Sequence, residues 1–202
     1  MEEGKIYKGF TIKDNIEILL RLIKLEDYET YTHCLRTGRI TKEILEEENI
    51  KISKEEKEEI IDGALIHDLG KCLIPCKLQN LPFRLNANEK EIIKIHPVIG
   101  EEFINGTRIS ELTKKIVLLH HTPYKELKEI GLTETEMMGI YIVSYADKID
   151  ALSSKRPYRH PISNEEIIKK LREIQSKEEK ERFAKIIKKA ESGIITNRWM
   201  NN

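Results

Sequence analysis

Residues 135–152 read TEMMGIYIVSYADKIDAL, and no other stretch limits the fold so tightly. The middle of this segment is apolar on every side of a helix, so it has no face to give to water and must be surrounded by other helices. Thr133 and Glu136 form a capping box at its start. The rest of the chain supplies the surrounding pieces. Ile12, Ile16, Leu19, Leu20 and Ile23 make a helical stripe. Tyr28 to about Glu48 reads as a second helix, rich in helix formers near its end. Ser53 and Glu56 cap a third, and Asn86 and Glu89 resemble a cap before KEIIKIHPVIGEEFI, which Pro97 should kink or restart. Leu112 to His121 continues as helix, and Ser163 with Glu166 caps another that runs to about Ile174. Phe183, Ile186, Ile187 and Ala190 mark the last helix, with Gly193 as its stop. The charge runs SKEEKEE and SKEEKER read as solvated helix faces. No alternating strand pattern, internal repeat or linker composition interrupts this order. The expected architecture is all-α, one domain over residues 1–202, with its core at about 25–160 and C-terminal helices at about 163–192. A chain of 202 residues can bury a substantial core in one domain.

Polar residues in apolar surroundings then point to the chemistry. Asp147 breaks the buried segment, and a lone carboxylate there is strongly disfavoured unless something compensates it. In ALIHDLGKCLIP, residues 64–75, His67, Asp68 and Lys71 interrupt a second apolar run, with Gly70 as a helix stop that lets His67 and Asp68 converge. Of six histidines, His33, His67, His96, His120 and His121 all lie in or beside apolar helical segments. One such residue would be an ordinary hydrogen-bonded histidine; five, with carboxylates at useful spacings, suit a site for more than one metal ion. Glu29 and His33 are four apart and share a helix face. His120 and His121 would diverge by about 100° on a regular helix, serving two neighbouring ions or one ion and its surroundings. Imidazole with carboxylate suits iron or manganese, and also zinc.

Composition narrows the setting. With 35 basic and 35 acidic side chains the formal net charge is zero, which argues against a general grip on nucleic acid or anionic lipid. No run reaches membrane-spanning length, and MEEGKIYKGF has no apolar core of the secretory kind. Three cysteines, Cys34, Cys72 and Cys76, suggest reduced intracellular thiols, Cys72 and Cys76 in core or turn roles, so a cytoplasmic protein is expected. Oligomeric state is left open by these features.

The ordered set ETYTHC (29–34), HDLGK (67–71), HPVIGEE (96–102), HH (120–121) and ADKIDALSSKRPYR (146–159) resembles the HD superfamily of metal-dependent phosphohydrolases, and especially its HD-GYP branch. The resemblance implies metal roles for His33, His67, Asp68, His96, His120, His121 and Asp147. Glu29 matches the extra carboxylate of relatives that hold three ions, so two or three divalent ions are expected. Lys71 matches a lysine near the reacting phosphate, and Arg156 and Arg159 match positions that approach substrate phosphates. Asp68 is the candidate bridge between two ions, which would make a shared water acidic enough to attack phosphorus at neutral pH. The implied function is a phosphodiesterase acting on a cyclic dinucleotide or related signalling nucleotide. A general nucleotide phosphohydrolase is the nearest alternative, and a di-iron oxygenase or a nucleotide sensor without catalysis are alternatives of other classes. One departure bears on the substrate: HHTPYKELKEIGLTETEMMG stands where the branch carries Gly-Tyr-Pro, so this part of the pocket wall is expected to differ, with Tyr124 as a candidate for it.

Overall fold

A computed structural model describes residues 12–46, 50–74, 87–154 and 162–196. They form an all-α fold, and no strand occurs among them. The order is α1 (Ile12–Glu26), α2 (Tyr28–Leu45), α3 (Lys54–Ile66), a 3₁₀ turn (Leu69–Leu73), α4 (Ala87–Lys94), α5 (His96–Ile104), α6 (Glu111–Leu119), α7 (Tyr124–Leu127), α8 (Glu134–Ser153), α9 (Asn164–Glu173), α10 (Lys177–Arg182) and α11 (Ala184–Ile195).

Helix starts follow local chemistry. Ser53, Thr133 and Ser176 each accept the backbone N–H three residues on, while Glu56, Glu136 and Glu179 reach back to the capping residue. The box at Ser176 makes a six-residue helix of the second charge run, with no side chain of α10 buried. Pro97 restarts the helix as expected, because proline is accommodated in a first turn but not in a helix interior.

Two adjoining apolar clusters build the core. The larger gathers α8 with Ile40 and Ile44 of α2, Ile60 of α3, Ile116 of α6, Ile167 of α9 and Ile186 of α11. Twelve residues of α8 are buried, from Met137 to Asp150, which is the enclosure its sequence demands. The smaller cluster joins Ile16 and Ile23 of α1 to Cys34, Ile66, Leu69, Ile104 and Val117.

Three expectations need correction. Gly193 does not stop the last helix: α11 runs through it to Ile195, with Gly193 buried on the packed side. The helix of Leu112 ends at Leu119, leaving His120 at its C-cap and His121 beyond. Gly70 is no left-handed stop either, because α3 ends at Ile66 and Gly70 lies inside the 3₁₀ turn. A Cβ there would stand 1.9 Å from the carbonyl oxygen of His96 and 2.7 Å from the amide of Gly100. Glycine is needed so that the start of α5 can close on the turn after Asp68. The expected cap at Asn86, together with Cys76, Arg156, Arg159 and His160, lies outside the described residues.

Candidate metal centre

Five elements end or pass at one point between the two clusters. The middle of α2 brings His33, the end of α3 brings His67 and Asp68, the start of α5 brings His96, the end of α6 brings His120 and His121, and α8 brings Asp147. Their ligand atoms fall into two compact groups, Asp68–His96–His120–His121 and His33–His67–Asp147, each within 4.8 Å. All are buried or nearly so except His121, whose side chain is 47% exposed.

Asp68 stands between the groups. Its Oδ1 lies 3.1 Å from His96 Nε2 and 4.0 Å from His120 Nε2, and its Oδ2 lies 3.5 Å from Nε2 of both His33 and His67. Asp147 also spans the gap, with Oδ1 3.1 Å from His33 Nε2 and Oδ2 3.8 Å from His121 Nδ1. Lys71 Nζ donates to Asp68 Oδ2 at 2.5 Å. Lys71, expected near a reacting phosphate, thus lies beside the carboxylate at the middle of the centre.

The ring orientations test whether these residues suit a cation. His67, His96 and His120 each place Nδ1 2.8 Å from the carbonyl oxygen three residues earlier, in Ala64, Ile93 and Val117. A carbonyl only accepts, so Nδ1 carries the hydrogen and Nε2 carries a lone pair. Two such lone pairs, on His96 and His120, face each other at 3.3 Å. His67 Nε2 and Asp68 Oδ1 are buried without a hydrogen-bond partner. Buried lone pairs aimed at one another are unfavourable unless a cation lies between them, so the donor set fits divalent metal ions.

Electrostatics point the same way. Burial above all keeps His67 and His120 neutral, His120 well below the ordinary imidazole range. Burial alone would raise Asp68, but the Lys71 ammonium and the surrounding imidazoles hold it well below the usual carboxylate range. Burial works against charge on His33 too, yet its hydrogen bonds to Asp147 and Asp150 and the charge of Asp68 raise it to about 9. That proton occupies the place a metal cation would take.

Asp150 and Arg36 were not among the expected site residues. Asp150 Oδ2 meets His33 Nδ1 at 2.7 Å, and Arg36 grips both oxygens of Asp150 at 2.6 and 3.0 Å. The signal was there: Arg36 is three residues past His33 and Asp150 three past Asp147, so each lies on the site face of its helix. Cys34, next to His33 in sequence, has its sulfur 4.0 Å from His67 Nδ1 and backs that ring. Glu29 is exposed in the first turn of α2 and belongs to neither group. Tyr124 turns from the site, packing edge-on against Phe183 with its hydroxyl 3.3 Å from Glu178.

The family model of the HD domain matches residues 30–192, spanning every residue of both groups. The chain belongs to the HD domain family. Over 170 residues this HD domain is 34% identical to a cyclic di-GMP phosphodiesterase of Thermotoga maritima, covering 80% of the chain and 45% of that protein. It is 26% identical over 165 residues to the 3'3'-cGAMP-specific phosphodiesterase 2 of Vibrio cholerae, covering 80% of the chain and 31% of that protein. The chain therefore spans less than half the length of these curated relatives. Its fold matches the HD domain of the phosphodiesterase PgpH of L. monocytogenes, solved in complex with cyclic-di-AMP. That match has a TM-score of 0.62 at 17% identity and covers 90% of this chain and 95% of that one. No helix among the described residues is long and apolar enough to cross a membrane.

Proposed function

We propose that this HD domain is a metal-dependent phosphodiesterase that hydrolyses a cyclic dinucleotide. The observation that carries the reading is the position of Asp68, whose two oxygens face the two ligand groups separately. That is the arrangement of a carboxylate shared by two ions. When bound, such a pair of ions supplies an acidic water and polarises phosphoryl oxygens. The chain's own residues do the rest. His67, His96 and His120 present neutral Nε2 donors whose direction is fixed from behind by backbone carbonyls. Asp147 and His33 complete the inner group, and His121 closes the outer one toward solvent. Lys71 keeps Asp68 ionised and adds fixed positive charge beside it, the sign that stabilises negative charge growing on a phosphate under attack. Arg156 and Arg159 serve in this reading as guanidinium contacts to the second phosphate. Iron or manganese suits the mixed imidazole and carboxylate set, with zinc as a further candidate. Glu29, exposed one turn before His33, is the residue that would hold a third ion. The relatives named for cyclic di-GMP and 3'3'-cGAMP, and the neighbour crystallised with cyclic-di-AMP, support the substrate class. A cytoplasmic setting agrees with such a substrate.

The test is metal analysis of freshly purified protein followed by incubation with cyclic di-GMP, 3'3'-cGAMP, cyclic-di-AMP and cyclic mononucleotides. The expected result is opening of a cyclic dinucleotide to its linear form, abolished by chelation and restored by metal. Full metal occupancy without cleavage of any of these phosphoesters would overturn the proposal. Oxygen consumption with an organic substrate would replace it with oxidative chemistry.

A further inference from the structure

Four imidazoles of the centre are held at Nδ1, three in one way and one in another. His67, His96 and His120 stand at helix ends, where the last four carbonyls of a helix lack intrahelical donors. Ala64, Ile93 and Val117 are among those carbonyls in α3, α4 and α6. For Ile93 the residue four positions on is Pro97, which has no N–H to offer. His33 has no such acceptor, because it lies inside α2, where nearby carbonyls are engaged in the helix ladder. Its Nδ1 is met instead by Asp150 of α8. Asp150 is only 3% exposed, and an anion buried that deeply is costly unless paired. Arg36, one turn beyond His33, supplies the pairing through Nε and Nη2.

We propose that Asp150 and Arg36 are a positioning pair that sets the direction and basicity of His33 and thereby governs occupation of the His33–His67–Asp147 group. The inference rests on the metal-centre reading above. An anionic acceptor on Nδ1–H pushes electron density toward Nε2 and makes it a stronger donor to a cation than a ring tied to a neutral carbonyl. The three carbonyl-tied rings lack this reinforcement. Their strength is set by backbone and does not respond to side-chain replacement, whereas that of His33 does. The two ligand groups therefore differ in how they are tuned, and one can be weakened without the other. Arg36 acts at one remove: its guanidinium keeps Asp150 ionised and fixes the plane of the carboxylate.

Asp150→Asn retains volume and an accepting oxygen but removes the charge, and Arg36→Lys retains charge but loses the two-pronged grip. Mn²⁺ and Zn²⁺ titrations with metal analysis should show one ion weakened about 10- to 100-fold in Asp150→Asn and the other bound as in the unaltered protein. Arg36→Lys should fall between the two. In chelated protein, the Nδ1–H proton resonance of His33 should lie downfield and move upfield in Asp150→Asn, while those of His67, His96 and His120 stay in place. Retention of both ions at unaltered affinity, or equal loss of both with a lowered unfolding midpoint, would overturn the proposal. An unaltered protein that binds no metal would sink the metal-centre reading instead, and the His33 resonance would still show whether Asp150 holds the ring.

Discussion

The residue on which both ligand groups depend is Asp68. Replacing it by alanine removes a donor from the group it shares with His96, His120 and His121, the oxygen that lies 3.5 Å from both His33 and His67, and the carboxylate to which Lys71 donates. Asp68→Ala is expected to lose bound metal and to lower turnover by about 100-fold or more, since even a single supporting residue is worth 10- to 100-fold in metal sites. Full metal content with normal turnover would reject the bridging role. His33 offers a test that needs no substrate. Its pKa in the folded protein is raised from 6.5 to about 9, so the proton it holds stabilises the fold. For a raised pKa that contribution is complete below 6.5 and disappears as pH climbs through 9. Chelated protein should therefore lose stability across this window, by about 3 kcal/mol at most. Metal-loaded protein, with a cation in place of the proton, should not show this loss. Denaturant midpoints at pH 7.5, 8.3 and 9, above the range in which the imidazoles kept neutral by burial would take up protons on unfolding, make the comparison with and without chelator; a flat profile for chelated protein would contradict it. Glu29 can be tested alongside: Glu29→Ala should lower metal content by about one ion while the His67 and Asp68 ligands stay occupied, and unchanged metal content would reject a third ion there.

At the scale of elements, the close meeting of the 3₁₀ turn with α5 is the most exacting contact. Gly70→Ala would drive a methyl group into backbone atoms of His96 and Gly100, and backbone cannot swing aside as a side chain can. The expected cost is about 3 kcal/mol, seen as a lower thermal midpoint, with loss of the ion held by Asp68, His96 and His120. Unchanged stability and metal content would mean that α5 retreats without disturbing His96. This contact also marks where sequence reading stopped. Caps and apolar stripes are local signals, so α1, α3, α8 and α9 could be placed from the chain alone. The ligand residues were visible because polar groups in apolar runs need a compensating partner. What Gly70 touches depends on a helix 26 residues further on, at His96, and a glycine between apolar residues looks like a stop signal when read locally. Gly193 misled for the same reason: buried packing, which no local pattern reports, carries α11 past it. Asp150 was not assigned to the site because its partners, His33 and Arg36, lie on a helix far away in sequence.

Across the whole molecule, the centre is the place where the two apolar clusters meet: every helix that frames it contributes to at least one of them, and α2, α3 and α6 contribute to both. Burial of α8 therefore holds Asp147 and Asp150 in place, and packing of Ile66 and Leu69 does the same for His67 and Asp68. The contact between His33 and Asp150 joins residues 117 positions apart. A separation of that size has a kinetic consequence. Contacts between distant parts of a chain close only after much of the loop entropy between them has been spent, so the ligand groups assemble late along the folding path. An ion has little to bind in an early, partly ordered chain. Metal should then slow unfolding in stopped-flow experiments while leaving the refolding rate nearly unchanged, as expected for interactions absent from the transition state. The same timing holds during synthesis: until Asp147 has left the ribosome and α8 has docked, the histidines before it have no completed centre to offer, and loading with metal waits for the chain to close.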